Sequence, residues 1–455
     1  MLSVSSYLEN ISVFKERVLR ILISDTRRRL ARGAFWGALA AVVSNVVSLG
    51  CSFVLARILG KQGFGEYGII NSTVGMIGSV AGLGVGSTVV KYVAELKKSD
   101  PRRCGRILAL SSMVTFGSAA VFGCLLGGIA PWLAEEVLAA PHLANMLRIS
   151  AVTVALGLVN GVQNASLQGC EAYRVIAFVN AVSNIVRSLL VLLFAWWWGL
   201  VGAVVVMMIT MGGTVIWTRL QVRAVWRKYR LQYIWRGAVA EWRVLVHYSL
   251  PMLIVMVTIW PTQWGACAFL ANQSNGYAEL AVFNAGGQWM MAVQFLPNLL
   301  CTAMLPVMSE KFGEGNDSQA LAVMKKMMLV LIVVVVPVAG CLCLVSPWLM
   351  RGYGTGFVGC HWVLILQVLT GGVFAIMNPV SNYILANGAI WSSLWTNLIY
   401  CGTTLLGSWW LVHWGALGLS GARLLTGVIH FVLLLWLVRR LSRLARGYSV
   451  DIAKV

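Results

Sequence analysis

Asn180, Ser183, Asn184 and Arg187 fall at i, i+3, i+4 and i+7 inside a run that is otherwise almost wholly apolar. That spacing places them on one face of a helix. Polar side chains in such a row face protein or water rather than lipid, and a guanidinium suits phosphate, which it grips through parallel N–H bonds. No acidic residue lies in the middle of any long apolar run, so Arg187 has no carboxylate to pair with at that depth. The pattern therefore points to an anionic ligand rather than a structural ion pair. Comparable polar faces recur. Asn160, Gln163, Asn164 and Gln168 form one, and Asn378, Ser381 and Asn382 another. Ser44, Asn45, Ser48 and Ser52 form a third, and Asn284 and Gln288 a fourth. Their other ordinary use is hydrogen bonding between packed helices. Arg423 is a second cation inside an apolar run. The candidate ligand-contacting residues are Arg187, Asn180, Asn184, Asn45, Gln288 and Arg423.

The elements that carry these residues follow from composition. The chain has 455 residues, of which 59% are apolar and 11% charged, with a mean hydropathy of +0.80. A soluble domain carries about 25% charged residues. Apolar runs of about 20 residues cross a bilayer, and they are continuous here rather than alternating, which excludes a β-barrel reading. The class is an all-α polytopic membrane protein. Twelve spans are expected, near 33–56, 67–90, 107–130, 145–167, 175–198, 200–218, 246–270, 279–304, 327–350, 362–386, 391–412 and 416–438. The ten cysteines mostly sit singly inside these runs and form neither a disulfide framework nor a metal-ligand cluster. No cleavable signal peptide is evident, since a polar, basic segment precedes the first apolar run.

Charge sets the expected orientation. With the first segment placed in the cytoplasm, 29 of the 35 Lys and Arg residues fall on cytoplasmic segments, and two, Lys61 and Arg351, fall on the other side. The positive-inside rule then puts both termini in the cytoplasm. It also assigns the net charge of +20 to anionic lipid headgroups rather than nucleic acid. Residues 1–32 read as a basic amphipathic segment lying on the membrane surface, and 441–455 as a cytoplasmic tail. Trp196, Trp197, Trp198, Trp409, Trp410 and Trp414 read as an interfacial belt.

The halves repeat. Glu66, Asn71, Asn160, Asn164 and Trp198-Gly199 match Glu279, Asn284, Asn378, Asn382 and Trp414-Gly415 at offsets of about 213 to 218. An even number of spans per half makes the repeats parallel, related by a pseudo-two-fold along the membrane normal, with a site or pathway between them. The halves are 33–218 and 244–440, joined by a basic linker at 219–243. The stretch "LARILGKQGFGEYGIINS" at 55–72 is the turn between the first two spans, and its glycines permit a tight turn and close helix approach. Glu66 and Glu279 are expected to cap helix starts, where free amides and the dipole favour a carboxylate. The alternative is a gate, with Glu66 set against Arg57.

The same residues carry a resemblance. "FVLARILG" with Phe64, Gly65 and Tyr67, followed by Gly82-Leu83-Gly84 and Lys91-Tyr92 with Ala94-Glu95, resembles the signature of the polysaccharide-transporter branch of the MOP exporter superfamily. Tyr248 to Pro251 fits that family's start of the seventh span. The resemblance covers most of residues 30–440. It implies a flippase that moves a polyprenyl-diphosphate-linked oligosaccharide, such as an O-antigen repeat unit, across the bacterial inner membrane by alternating access. The implied partners are that substrate, membrane lipids and polysaccharide assembly proteins, with no nucleic acid and no cofactor. Two departures stand out. The acidic residue frequent in the seventh span is replaced by Trp260-Pro261-Thr262-Gln263-Trp264. The basic residue of the lipid II flippases in the first span is replaced by Ser48-Leu49-Gly50-Cys51. The chain has no Walker-type phosphate loop and no loop long enough for a catalytic domain, so it is not expected to be an enzyme. A cation-coupled drug or metabolite exporter is the runner-up; such a pump needs a buried carboxylate.

Overall fold

A computed structural model describes residues 25–301, 304–314 and 316–452. Twelve α-helices occur among them: α1 Asp25–Ala81, α2 Val85–Ser99, α3 Pro101–Trp132, α4 Ala144–Gly169, α5 Tyr173–Tyr229, α6 Trp242–Ala271, α7 Gly276–Cys301, α8 Met304–Gly313, α9 Asp317–Tyr353, α10 His361–Ala386, α11 Ile390–Leu411 and α12 Gly415–Ile452. No strand occurs among the described residues. Two of the helices are each two spans. Gly60 (φ 70°, ψ 176°) breaks α1, and Gly199 (φ 58°, ψ −139°) breaks α5. With α2 and α8 as short continuations, the twelve expected crossings are present.

The glycine breaks show the repeat in backbone geometry. Gly415 (φ 64°, ψ −145°) adopts nearly the conformation of Gly199. Only glycine enters that region without steric cost. Three residues after each break, another glycine lies hard against a carbonyl of the preceding helix: Gly202 against Phe194 and Gly418 against Leu411. The side-chain ladder repeats as well. Asn164 donates to Asn160 Oδ1 at 2.7 Å, and Asn382 to Asn378 Oδ1 at 3.3 Å.

Loops alternate between two ends of the bundle. The basic end gathers Lys97, Arg103, Arg106 and Arg219; the opposite end holds Lys61 and Arg351. One apolar core runs through both halves toward the opposite end, from Leu55 and Phe64 through Leu138 to Leu280, Tyr353 and Leu419. Toward the basic end it divides. One cluster lies mainly in the N-terminal half, around Val89, Leu108, Leu167 and Trp226, and takes in Leu245 at the start of α6. The other stays in the C-terminal half, around Met308, Met324, Tyr383 and Leu434. The halves thus share one core at one end, while at the other they pack as two clusters joined through α6, which lies against α2.

Close contact at the shared end rests on glycine. Gly65 lies against the backbone carbonyl of Tyr277, and Gly68 against the side chain of Asn284. A side chain at Gly65 would hold the second span off the α7 backbone, and one at Gly68 would have to displace the Asn284 amide. Lipid tails are as apolar as leucine, so close packing of this kind, rather than hydrophobic transfer, holds membrane helices together.

Several boundaries differ from expectation. The second span begins at the Gly60 break rather than at 67, because the turn needs one glycine and not the whole glycine-rich stretch. It ends at Ala81, where Leu83 and Gly84 take positive φ (48° and 65°). The proposed 219–243 linker is helical to Tyr229, since nothing in its sequence breaks the helix earlier. Its remainder packs under α3: Ile234 N donates to Gly105 O at 3.2 Å, and Glu241 pairs with Arg103 and Arg106 at 3.2 and 3.4 Å. Of the 1–32 segment, residues 1–24 lie outside the described residues, and 25–32 continue directly into α1. Helix α12 runs through most of the expected tail; 453–455 lie outside the described residues.

Candidate functional site

Three connected cavities occupy the space around the seam. The largest of these, about 1010 Å³, lies mostly within the N-terminal half, between the two spans of α1, α4 and both spans of α5, with Met256 of α6 on one side. Asn45, Asn180, Asn184 and Arg187 line it. The second, about 360 Å³, lies between the halves and is lined by Arg187, Gln288 and Arg423, with Gln263 and Asn284. The third, about 490 Å³, lies between the first span and α7 and is lined by Asn45 and Gln288. The six residues singled out from sequence as ligand contacts therefore converge on one continuous region. No carboxylate lines any of the three.

Arg187 stands on the α5 face that periodicity marked. Its Nη2 donates to Asn184 Oδ1 at 2.8 Å, and Asn184 Nδ2 donates onward to Ser44 Oγ at 2.8 Å. The amide thus aims the guanidinium, and that chain ties α5 to the first span. Arg187 is exposed to the cavities and has no ion-pair partner among the described residues. Arg423 reaches the same inter-half cavity from α12. Its guanidinium lies over the Phe283 ring, 5.8 Å from the centroid. Its Nε is buried without an acceptor, and so is Nδ2 of Asn284. Leaving a buried donor unpaired costs about 1–3 kcal/mol, more for a charged group. The inter-half cavity thus has two arginines and no carboxylate in its lining, which suits a phosphate or carboxylate ligand.

Other polar faces serve packing. Asn160 donates to Thr218 at 3.1 Å, joining α4 to the second span of α5. Asn378 donates to Asn298 at 2.8 Å, joining α10 to α7.

At the opposite end the gate-or-cap residues are placed as follows. Arg57 Nε donates to Gly352 O at 2.9 Å, crossing from one half to the other; it does not meet Glu66. Glu66 is buried and does not cap its own helix. Gly60 sets the helix start more than a turn earlier, and the carboxylate accepts from Gln62 at 3.2 Å and meets His142 Nε2 at 3.0 Å. Glu279 accepts the backbone N–H of Ala416 at 2.9 Å, so the helix start it serves is that of α12 rather than α7. It also meets Lys61 at 3.8 Å across the seam. Other closing contacts were not marked by periodicity. Tyr277 donates to Leu138 O at 2.6 Å, and Ser52 meets Tyr353 at 3.3 Å. Phe53 packs on the Tyr353 ring at 4.3 Å.

Comparison with known proteins bears on this geometry. Residues 30–312, more than half of the chain, match the family model described as "Polysaccharide biosynthesis protein". The chain belongs to the polysaccharide biosynthesis protein family. Within curated proteins it is 25% identical over 289 residues to the EPS I polysaccharide export inner membrane protein EpsE of Ralstonia nicotianae, covering 60% of this chain and 62% of that protein. A shorter match, 30% over 79 residues, is to the protein of that name from Ralstonia solanacearum, covering 17% of this chain and 18% of the relative. Each match thus spans less than two thirds of the relative. Among solved structures, an inward-facing multidrug resistance MATE family transporter of the MOP superfamily has a TM-score of 0.71 at 13% identity, over 88% of this chain and 96% of that one. The lipid II flippase MurJ in an inward closed conformation has a TM-score of 0.68 at 13% identity, over 89% and 87%. A MOP superfamily transporter from Pyrococcus furiosus has 0.65 at 16%, over 94% and 98%. These likenesses show the fold: two six-span halves of the MOP transporter type.

Proposed function

We propose that this member of the polysaccharide biosynthesis protein family is a flippase. It carries a polyprenyl-diphosphate-linked oligosaccharide, an O-antigen or other surface-polysaccharide repeat unit, across the bacterial inner membrane by alternating access. The observation that carries the reading is the convergence of Arg187 and Arg423, from opposite halves, on one cavity free of carboxylates. A diphosphate bound between them supplies the negative charge that the cavity lining does not. A cationic drug gains nothing from such a lining, which weighs against the multidrug reading despite the shared fold. The relatives' names, polysaccharide export inner membrane proteins, support the substrate class and the membrane.

The basic end lies in the cytoplasm on this reading, with both termini. The shared core lies at the opposite end, which supports entry of the substrate from the side where lipid-linked intermediates are built. Membrane lipids contact the belt, and polysaccharide assembly proteins receive the product. Deletion of the gene in its native host tests the reading. Surface polysaccharide should be lost, and lipid-linked repeat units should accumulate facing the cytoplasm. The wild-type chain should restore export, and Arg187→Ala at normal membrane level should not. Undiminished surface polysaccharide in the deletion strain would refute it.

A further inference from the structure

We propose that the large cavity, lined mostly by the N-terminal half, is a glycan site, and that Arg187 marks the corner where the sugar chain turns into its diphosphate. The proposal rests on the flippase reading and divides that substrate between two cavities.

The first ground is unsatisfied polarity. Asn45, Asn71, Asn180 and Ser183 all line the large cavity, and none has a protein hydrogen-bond partner among the described residues. Their neighbours Asn160, Asn184 and Thr210 are bonded within the protein. Amides and hydroxyls both donate and accept, and so does every sugar hydroxyl. Such hydroxyls leave water without loss only where partners of that dual kind await them.

The second ground is size and charge. At about 1010 Å³ the cavity is at the upper end of the range of about 300–1,000 Å³ that accepts drug-sized ligands. It holds several sugar residues rather than a phosphate alone. Arg187 is its one charged lining residue, and it also lines the inter-half cavity that Arg423 reaches. The anion therefore sits at the junction, and the neutral part of the lining extends away from it.

The third ground is asymmetry between the repeats. At the offset that relates Gly199 to Gly415, the face of Asn180, Ser183, Asn184 and Arg187 corresponds to Thr396, Ile399, Tyr400 and Thr403. Thr396 and Tyr400 are buried, and Tyr400 accepts from Gln263 at 2.8 Å. At Thr396 and Tyr400 the C-terminal half buries the positions whose counterparts in the N-terminal half, Asn180 and Asn184, line the cavity.

Gly161 offers a test that leaves the protein scaffold alone. It lines the large cavity, and a Cβ added there has no neighbouring atom within 4 Å. Gly161→Phe therefore projects a ring into the cavity and narrows it, and Gly161→Ala is the matched small change on the same helix. Binding is measured in lipid nanodiscs with two probes: undecaprenyl diphosphate, and undecaprenyl diphosphate carrying the repeat unit of the native host. Wild type and Gly161→Ala should bind the sugared probe at least tenfold more tightly than the bare one. Gly161→Phe should lose that difference, and Arg423→Gln should weaken both probes. Asn180→Ala, which removes a side chain with no protein partner, should weaken only the sugared probe. If Gly161→Phe and Asn180→Ala leave the preference for the sugared probe intact, or weaken both probes equally, the glycan assignment is overturned and the flippase reading stands. If the wild type binds neither probe, the flippase reading falls and the assignment with it.

Discussion

Gly68 lies directly against the side-chain amide of Asn284, where the second span crosses α7 at the seam between the halves. The contact pairs the first repeat's glycine with a residue that is itself the counterpart of Asn71. A Cβ at position 68 has no room, so Gly68→Leu should overpack the seam. Such insertions cost about 1–3 kcal/mol in well-packed interiors. A lowered melting temperature and reduced monodisperse yield in detergent would show it. Trimming the partner in Gly68→Ala/Asn284→Ala should recover most of the loss seen in Gly68→Ala. No recovery in the double variant would mean that the glycine serves some other need.

Much of this architecture is legible in the sequence, because lipid imposes simple rules. Backbone groups must bond within a helix, so apolar runs of the right length become spans, and their loop charges alternate. The Trp198-Gly199 and Trp414-Gly415 match foretells a shared turn. The stripe ending in Arg187 foretells a cavity wall, since lipid does not accept it. The rest is not periodic. Glu66 reads as a helix cap because carboxylates at helix starts usually are caps, yet its partner His142 lies in another loop, 76 positions away. Which helix start Glu279 serves depends on where α12 lands, and no local pattern encodes that. Nor does spacing tell that Asn160 is bonded to Thr218 while Asn180 is left open.

The contact between Lys97 and Glu171 predicts a pH effect on stability. Lys97 is buried; it donates to Gly169 O at 3.1 Å and to Glu171 at 2.6 Å. Chiefly through that hydrogen bond, it holds the Glu171 carboxyl below the usual carboxylate range. A lowered folded-state pKa contributes stability above the unfolded value of about 4.3, and loses it as pH falls through the folded value. Glu171 is 66% exposed, so screening limits the contribution to about 0–1 kcal/mol. Glu171→Gln should melt slightly lower than wild type at pH 7, and the two should converge as the pH falls below the carboxylate range. A gap that persists unchanged in acid would assign the effect to packing.

Reporter fusions check the orientation. Fusions at residue 230, at the basic end, and at residue 353, at the opposite end, should report different compartments, with 230 cytoplasmic. Agreement between the two would require a different number of crossings.

The two matched glutamates should behave differently despite their common origin. Glu279 accepts the Ala416 N–H, and loss of a carboxylate cap costs about 0.5–2 kcal/mol. Glu279→Gln keeps an acceptor and loses the attraction to Lys61 at 3.8 Å, so it should be milder than Glu279→Ala. Glu66 serves no helix start. Its partners are His142 and Gln62, and all three belong to the N-terminal half. Glu66→Gln should retain export, with a modest loss of thermal stability. Loss of export at normal protein level, with an altered pH dependence, would make Glu66 a gate or coupling residue.

Arg187 and Arg423 differ in how each guanidinium is held, and conservative substitution should separate them. Asn184 aims Arg187 through one bond at 2.8 Å and leaves its other donors to the cavity. A planar fork can then take two phosphate oxygens at once, whereas an ammonium is a point charge. Arg187→Lys keeps the charge and loses the fork and its alignment. It should retain the attraction that concentrates an anionic headgroup, yet fail to fix its orientation. Arg423 is set over the Phe283 ring, where a cation of either kind gains from the ring face. Arg423→Lys should therefore retain more export than Arg187→Lys, and both should exceed the corresponding alanine variants. Initial rates of repeat-unit export at matched membrane levels measure the order. Equal rates for the two lysine variants would show that charge alone is read at both places, and the bidentate role assigned to Arg187 would fall.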